Sequence, residues 1–243
     1  MSAPRFFVVD RCVPGAEIAL GPDDSHHAAA VLRMQVGDSV VVVDGVAPWD
    51  AEIAAIDGRS VRVRIVGEDF ESPGDLPAAI TVLQAIPKGA KFDEVVEKVI
   101  ELGASGIVPV RADRCEADAS SAKVARWRRI ARAAAAQSRR RMLPRVEEPL
   151  HWRDAVPKYA PAMPLIVAWE RAPRDSLVHA VTRCLGVSRI AVAIGPEGSF
   201  SDDEIEIARA AGCTFVSLGP TILRTQTAAT VLIAALAARC GWW

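Results

Sequence analysis

Two loops near the C-terminal end of the chain combine glycine, proline and charged residues in a way that suits ligand binding. The apolar run Ile190–Ile194 leads into the first loop, Gly195–Ser201, and the run Phe215–Ser217 leads into the second loop, Leu218–Thr225. Each run has the length of a buried strand, and a helical pattern follows each loop. Because α/β folds bind ligands where a strand ends and a helix begins, the sequence predicts one pocket built from both loops.

The residue types within the first loop predict the shape of its backbone. Gly195 and Gly198 allow positive φ and close backbone approach. Ser201 and Glu204 form a capping-box pattern that opens a helix over Asp202–Ala211. The acidic first turn of that helix would repel a phosphate, and neither loop contains a GxGxxG or P-loop motif. Spacing alone leaves open the alternative of two ordinary βα turns without a ligand.

A longer stretch that includes both loops carries a family resemblance. The segment IGPEGSFSDDEIEIARAAGCTFVSLGPTILRTQTAA resembles the C-terminal signature of the RsmE family, SPOUT-class methyltransferases that methylate N3 of a uridine in 16S ribosomal RNA. The resemblance implies S-adenosylmethionine as the cofactor. The implied cofactor-binding residues are Gly195, Glu197, Gly198, Leu218, Gly219, Ile222, Leu223, Arg224 and Thr225. Three positions depart from the family pattern, because Ser199 replaces a glycine, Thr221 a common arginine and Gln226 a frequent glutamate.

The same resemblance implies two candidate catalytic residues. Arg224 is the candidate for contacting the target nucleotide or polarising a uracil carbonyl, and its alternative role is to anchor its loop through a carboxylate. Glu197 is the candidate for accepting the N3 proton, although a carboxylate beside a helix N-terminus is equally well explained as structural. No catalytic role is carried over to Gln226. Because N3 is paired in a duplex, the target uridine is expected to be exposed or flipped out.

The composition fits a cytoplasmic enzyme. Of the 243 residues, 51% are hydrophobic, which is enough for a sizeable core. No apolar run approaches the roughly 20 residues that span a membrane, and the N-terminus lacks a secretion-signal pattern. The five cysteines are scattered without a CxxC pair, and His26-His27 has no acidic or cysteine partner at metal spacing. We therefore expect reduced cysteines, a cytoplasmic location, no membrane partner and no metal.

A basic stretch stands out in a chain whose net charge is only −1. Between Lys123 and Arg145 there are nine basic residues and no acidic residue. Solvated helices usually mix both signs, so this stretch favours a polyanion such as nucleic acid over an ordinary exposed face. The predicted RNA-binding residues, two of which lie elsewhere in the chain, are Arg33, Lys88, Arg128, Arg132, Arg139, Arg140 and Arg141. For Trp127, a place in the core is favoured over stacking on a base.

Two further segments extend the resemblance. RWRRIARAAAAQSRRRMLP is similar to the family pattern RWRRIxxEAxEQSGRxxxP, with Ala136 in place of glutamate and Arg139 in place of glycine, which makes the surface more positive. IPKGAKFDEVVEKVIELG is similar to the family pattern KGxKMDxxxxKxxELG. Within it, Lys98 and Glu101 should pair on one helix face. Lys88 lies in a loop after a strand and is the candidate for a phosphate contact.

A polar, turn-rich stretch at residues 67–77 divides the chain. Three short strands, which predict a small β-barrel, precede it: Val40–Val43, Asp50–Ile56 and Ser60–Val66. The segment HHAAAVLRMQVGDSVVVVDG resembles the family's PUA-like RNA-binding barrel, and Arg33 matches its VLR element, with capping of a barrel edge as the alternative role. The expected domains are an RNA-binding barrel at residues 1–70 and a methyltransferase domain at residues 71–243.

After this linker, strands and helices alternate. The predicted strands are Ala79–Ala85, Ile107–Val110 and Leu165–Trp169, and the predicted helices are Lys91–Leu102, Ser120–Arg139 and Arg174–Leu185. This alternation predicts an α/β fold with a parallel sheet covered on both faces. The helix Thr225–Arg239 is apolar nearly all round and should be buried, either in its own subunit or at a dimer interface. The family resemblance further implies a deep trefoil knot and a homodimer.

The resemblance also implies a partner and leaves two alternatives. The expected partner is 16S ribosomal RNA in the small ribosomal subunit. A SPOUT enzyme that methylates a ribose 2′-hydroxyl would share the two loops but lack the PUA-like part and the full SLGPTILRT context. A non-catalytic RNA-binding assembly factor would have lost activity through the departures at Ala136, Ser199 and Gln226.

Overall fold

A computed structural model describes residues 3–70, 74–173 and 176–243. The chain divides into two units. The first comprises Met1–Asp75 together with Ala135–Leu143, and the second comprises Leu76–Ala134 together with Pro144–Trp243. No pattern in the sequence indicated that a short segment after residue 134 belongs with the N-terminal part. The domain boundary at residues 70 and 71 stays a prediction.

The first unit is built on a five-stranded sheet with the order β1-β3-β4-β5-β2. Its strands are β1 (Arg5–Phe7), β2 (Glu17–Ala19), β3 (Ser39–Val43), β4 (Pro48–Asp57) and β5 (Ser60–Glu68). Strands β1 and β3 are parallel, and the other pairs are antiparallel. On β5, Val61, Val63 and Ile65 are buried while Arg62 and Arg64 are exposed, so the predicted alternation is confirmed. This pleat gives the sheet one apolar face, on which the core of the unit forms.

In the first unit, the predicted turns agree with the structure, but the start of the predicted linker does not. Gly45 and Gly58 have φ values of +81° and +60°, as the Asp-Gly turns require. Helix α1 (Pro22–His26) continues into a π-helical turn, His27–Val31. The prediction of a linker from residue 67 is wrong at its start, because β5 extends through Glu68 and pairs there with β4. Residues 71–73 of the predicted linker lie outside the described residues.

The second unit contains a parallel sheet with the order β12-β10-β11-β6-β7-β8, and β9 also pairs with β7. Its strands are β6 (Ala79–Ala85), β7 (Ala104–Arg111), β8 (Arg145–Val146), β9 (Leu150–His151), β10 (Leu165–Ala168), β11 (Arg189–Ile194) and β12 (Thr214–Val216). The central strands β6 and β11 are largely buried, because helices cover both faces of a parallel sheet. The predicted α/β architecture is confirmed, and the two short strands that it adds to the prediction, β8 and β9, both pair with β7 near one edge of the sheet.

Six helices of the second unit follow or separate these strands within the described residues. They are α2 (Lys91–Glu101), α3 (Ser121–Gln137, whose last turn belongs to the first unit), α4 (Trp152–Tyr159), α5 (Ser176–Thr182), α6 (Asp202–Ala210) and α7 (Thr225–Arg239). The sequence did not predict α4. Residues 174 and 175 of the helix predicted over Arg174–Leu185 lie outside the described residues, and α5 is shorter than predicted.

The last helix, α7, is apolar on most sides but is buried on one face only. Ala229, Leu232 and Leu236 have no exposed surface, whereas Val231 and Ala235 on the opposite face are partly exposed. The prediction of burial within the subunit is therefore confirmed for one face. In the described part of the chain, no helix is long and apolar enough to cross a membrane.

Candidate active site

The two loops predicted to form a pocket line one cavity of about 830 Å³ in the second unit. The cavity lies beyond the carboxyl ends of β10, β11 and β12, where parallel sheets bind ligands. All nine predicted cofactor-binding residues surround it: Gly195, Glu197, Gly198, Leu218, Gly219, Ile222, Leu223, Arg224 and Thr225. The fold therefore brings together residues that are up to 30 positions apart in the chain.

A buried carboxylate fixes the end of the first loop. Ser201 Oγ accepts a hydrogen bond from Glu204 N at 3.2 Å, and Ser201 N donates to Glu204 Oε2 at 2.9 Å, so the predicted capping box is confirmed. The other oxygen, Glu204 Oε1, accepts from Asp113 N at 2.9 Å. Burial raises the pKa of Glu204, although these backbone N–H groups oppose the shift. The side chain thus joins the first loop to the segment that follows β7.

Close packing explains the glycines of the first loop. A Cβ at Gly195 would lie 3.2 Å from the Phe200 ring, and a Cβ at Gly198 would lie 3.3 Å from the Arg114 Cβ atom. Arg114 Nη1 also donates to Gly198 O at 2.8 Å. The prediction of close approach is confirmed at both glycines, but the prediction of positive φ is wrong, because Ser199 has that conformation instead, with a φ of +62°.

Ser199 compensates in part for its unusual backbone. The left-handed conformation costs a residue with a Cβ about 1–2 kcal/mol. Ser199 Oγ donates a hydrogen bond to Glu170 Oε2 at 2.8 Å, and both residues line the cavity. The loss of the family glycine therefore adds a contact between the first loop and the end of β10.

Glu197 is held as a carboxylate. Its Oε1 atom accepts from Lys91 Nζ at 2.8 Å and from Lys88 N at 3.3 Å. Burial would raise the pKa of Glu197, but the hydrogen bonds and the charge of Lys91 outweigh it and lower the pKa below its ordinary value. A carboxylate with a lowered pKa is a weak proton acceptor, so this geometry favours the structural role of Glu197 over the catalytic one.

Arg224 lies at the N-cap of α7 with an exposed side chain. Its carbonyl oxygen accepts from Ala228 N at 2.8 Å. Within residues 3–70, 74–173 and 176–243, no carboxylate pairs with its guanidinium, so the alternative role as a loop anchor has no partner there. Arg224 lines the cavity, and its exposed side chain is available to a ligand.

A buried glutamine that the sequence analysis missed joins the two loops. Gln84, at the end of β6, has no exposed surface, and its Nε2 donates to Thr225 Oγ1 at 2.8 Å. Thr225 Oγ1 in turn donates to Gly195 O at 2.8 Å. A glutamine in the mostly apolar strand AITVLQA was the available signal, because a polar group in a core needs a specific partner. Lys91 and Glu170 also line the cavity and were not predicted as site residues.

Two family models match successive parts of the chain. Residues 74–237 match the model of an RNA methyltransferase domain, and residues 20–66 match that of an RNA methyltransferase PUA domain. Ribosomal RNA small subunit methyltransferase E from Synechocystis sp. is 34% identical, over 96% of this chain and 76% of that relative. The enzyme of the same name from Mycobacterium bovis is 31% identical, over 100% of this chain and 94% of that relative.

The chain belongs to the ribosomal RNA small subunit methyltransferase E family. A solved family member from Neisseria gonorrhoeae, bound to S-adenosyl methionine, is 29% identical, with a TM-score of 0.86 and 98% of both chains covered. The resemblance to the RsmE family is thereby confirmed, and so is the combination of a PUA-like part with a parallel methyltransferase sheet. The trefoil knot stays a prediction.

In this methyltransferase, acidic residues from elsewhere in the chain neutralise part of the basic stretch. Arg126 pairs with Asp93 at 2.5 Å, and Arg128 pairs with Glu148 at 2.8 Å. Lys88, predicted to contact phosphate, pairs with Glu116, and Arg132 is partly buried. These three predicted RNA-binding residues, Lys88, Arg128 and Arg132, are therefore less available than their charges suggest. Trp127 is buried against Phe92 with ring centroids 4.1 Å apart, which confirms its place in the core.

The remaining predicted RNA-binding arginines belong to the first unit. Arg140 is only 6% exposed and pairs with Asp75, so the prediction that it contacts RNA is corrected to a structural role. Arg139 is exposed, with a φ of +58°, at the left-handed position that ends α3. Arg33 is also exposed, with a φ of +54°, after the π-helical turn. No carboxylate among the described residues pairs with Arg33, Arg139 or the partly exposed Arg141.

Proposed function

We propose that this protein transfers a methyl group from S-adenosylmethionine to N3 of a uridine in 16S ribosomal RNA. The observation that carries the proposal is the single cavity shared by both loops, with the unpaired Arg224 beside it. Family membership supports the reaction class, and the solved relative bound to S-adenosyl methionine supports the cofactor. The structural support for an enzyme is that both loops still line one cavity although Ser199 and Gln226 depart from the family pattern.

The cavity residues fit the proposed cofactor. Ile194, Leu218 and Leu223 offer apolar surface for a purine, and backbone N–H groups of the second loop would bond its polar edges. Gln226 also lines the cavity. The cofactor would supply an already activated methyl group. The protein then has to orient the uridine and assist the loss of its N3 proton.

Arg224 is the residue best placed to assist that proton loss. Negative charge develops on the uracil ring as N3 loses its proton, and it spreads to the neighbouring carbonyl oxygens. A guanidinium at a carbonyl stabilises this charge in a site from which water is excluded. In this proposal the role of Glu197 is structural. It holds Lys91 and the backbone before α2, and its lowered pKa agrees with this role. Its predicted role as proton acceptor has less support than its predicted place at the cofactor loop.

RNA recognition is assigned mainly to exposed, unpaired arginines of the first unit. Arg33 and Arg139 keep a left-handed backbone that disfavours residues with a Cβ, which is common where function constrains the chain. Arg141 adds a third cation, while Lys88, Arg128 and Arg132 have weaker support. Residues 1–70 form the proposed RNA-binding domain and residues 71–243 the proposed catalytic domain. The small ribosomal subunit is the proposed partner.

Three further properties of the family complete the proposal. A homodimer would cover the partly exposed apolar face of α7, which includes Val231 and Ala235. A trefoil knot would place the two loops side by side, as the cavity requires. A cytoplasmic location follows from a ribosomal substrate.

Methyl transfer to ribosomal subunits tests the proposal directly. Small subunits from a strain that lacks this protein would be incubated with labelled S-adenosylmethionine, and the RNA would be digested and its nucleosides identified by mass. Label in 3-methyluridine is the expected result. Label in a 2′-O-methyl nucleoside would overturn the proposed position, and intact RNA binding with no label would indicate an assembly factor. An Arg139→Gly variant should bind the subunits more weakly, and Arg59→Gly, in the turn between β4 and β5, serves as an exposed control.

A further inference from the structure

Glu170, just beyond the end of β10, brings a negative charge to the cavity that no described residue neutralises. Its Oε2 atom accepts a hydrogen bond from Ser199 Oγ at 2.8 Å, and both residues line the cavity. The neighbouring Arg171 pairs with Asp202 at 3.2 Å rather than with Glu170. The other carboxylate oxygen, Glu170 Oε1, accepts no hydrogen bond in the described part of the chain. This oxygen is therefore free to bind a donor of a ligand.

The other carboxylate at the cavity has a different environment. Glu197 Oε1 accepts from Lys91 Nζ at 2.8 Å, so its charge is neutralised within the protein. The partner of Glu170 is a hydroxyl group, which carries no charge. The side chain of Glu170 is exposed, so a ligand in the cavity can reach it. Of the two carboxylates, Glu170 is thus the one whose charge is left for a ligand.

The backbone of the first loop holds the Glu170 carboxylate in place. Ser199 has a φ of +62°, in the left-handed region that disfavours a residue with a Cβ. Strained backbone of this kind is concentrated at functional sites. Here it accompanies the hydrogen bond that occupies Glu170 Oε2 and leaves Oε1 free. A carboxylate that is already held in one position loses less conformational freedom when a ligand binds.

The chemistry of the proposed cofactor indicates which of its groups fits this carboxylate. S-adenosylmethionine carries two positive groups, the sulfonium and the α-ammonium of its methionine part. The sulfonium has no hydrogen-bond donor, whereas an ammonium has three N–H donors. A charge-assisted hydrogen bond between an ammonium and a carboxylate is stronger than one between neutral groups. The free oxygen and the unneutralised charge of Glu170 therefore match the ammonium.

We propose that the Glu170 carboxylate binds the α-ammonium group of the methionine part of S-adenosylmethionine. This inference rests on the proposed function, because it requires that the cavity binds this cofactor. It adds Glu170 to the predicted cofactor-binding residues and assigns it the amino-acid end of the cofactor. The ammonium does not react, so Glu170 contributes to the affinity for the cofactor rather than to the methyl-transfer step.

Calorimetric binding of two ligands to the full-length protein tests the inference. The first is S-adenosylhomocysteine, which keeps the ammonium but has no sulfonium charge, and the second is its analogue without the α-amino group. The wild type should bind the analogue about 3- to 10-fold more weakly, the effect of one charge-assisted hydrogen bond at an exposed site. Glu170→Gln removes the charge but keeps the size of the side chain. Its affinities for the two ligands should lie within about 2-fold of each other.

A matched variant controls for the change in net charge. Glu206→Gln removes one negative charge from an exposed position of α6 that is not among the residues lining the cavity, so it should keep the wild-type preference. A Glu170→Gln variant that still prefers S-adenosylhomocysteine as strongly would overturn the inference, and so would a wild type that binds both ligands equally. In the latter case, slower single-turnover methyl transfer by Glu170→Gln would assign Glu170 to the reacting uridine. If the wild type bound neither ligand, the proposed function itself would fail.

Discussion

The two loops that form the cavity are held in different ways. Side chains from several elements brace the first loop, among them Arg114 at Gly198 O, Lys91 at Glu197 and the capping box of α6. The second loop, Leu218–Thr225, is attached mainly at its ends, through Thr225 and through Ser217 Oγ, which donates to Gly219 O at 3.3 Å. Between these ends, Ile222 is 88% exposed.

This difference separates two tasks that a binding site has to perform. A braced loop keeps its shape before the ligand arrives, which reduces the ordering cost of binding. A loop with few contacts has low local stability and can adjust to what it binds. We therefore expect changes in the first loop to alter mainly protein stability, and changes in the second loop to alter mainly binding and catalysis.

The largest effect is expected at Arg224, in the second loop. Arg224→Ala should lower the rate of methyl transfer to small subunits by about 100-fold, because it removes a cation that stabilises developing charge. The free energy of unfolding should change by less than about 0.5 kcal/mol, because the side chain has no partner among the described residues. Single-turnover transfer and urea unfolding give the two values. A decrease in the free energy of unfolding as large as the increase in the activation free energy would contradict the expected difference between the two loops.

At Glu204, which braces the first loop, we expect a smaller effect, and we expect it on stability rather than on catalysis. Glu204→Ala should reduce the free energy of unfolding by about 2 kcal/mol, because it leaves the partly buried N–H groups of Asp113 and Ser201 without their acceptor. Urea unfolding measures this change. Glu206→Ala, exposed on the same helix, is the control and should stay within about 0.5 kcal/mol of the wild type.

Ser199 offers a test within the first loop in which stability should rise. Ser199→Gly removes the left-handed strain but also the hydrogen bond to the exposed Glu170. Since strain is the larger of the two, the variant should gain about 0.5–1 kcal/mol of stability. Thermal and urea unfolding would measure the gain. A loss of stability would mean that the bond to Glu170 is the stronger contribution.

The smallest effect concerns pH. The pKa of Glu197 is lowered in the folded protein, so its ionised form stabilises the fold above its unfolded pKa, and this contribution is lost as the pH falls through the folded value. Glu197→Gln should therefore be less stable than the wild type at pH 7, and the difference should shrink at a pH below the ordinary pKa of glutamate. Urea unfolding at both pH values measures it. A difference that persists at low pH would assign the effect to packing.

The sequence predicted the features that depend on local pattern. The apolar runs of β6 and β11, the alternation of Val61, Val63 and Ile65, and the capping box at Ser201 all follow from short-range periodicity or spacing. The ion pair of Lys98 with Glu101, at 3.1 Å, was predicted for the same reason. The positions of the cavity residues came from the family signature, which orders residues along both loops.

The features that were missed depend on contacts between distant parts of the chain. The composition of the basic stretch could not predict its ion pairs, because Asp93 and Glu148, which neutralise Arg126 and Arg128 after folding, lie outside that stretch. The burial of Arg140 depends on Asp75, 65 positions away. In the first loop, the residue with a positive φ is Ser199, whereas residue type favoured one of the two glycines. None of these contacts produces a periodic pattern in the sequence from which it could be predicted.

The contacts of Arg5 have a consequence for synthesis on the ribosome. This guanidinium is 8% exposed and donates at 2.7 Å to the carbonyl oxygens of Arg139 and Arg140, the former 134 positions later in the chain. Until that segment emerges, the nascent N-terminal part holds a buried cation that lacks these two acceptors, although Asp69 can already pair with it. The first unit should therefore reach its final stability only after residue 143 has been made, and a fragment that stops at residue 75 should be less stable than the same unit in the complete chain.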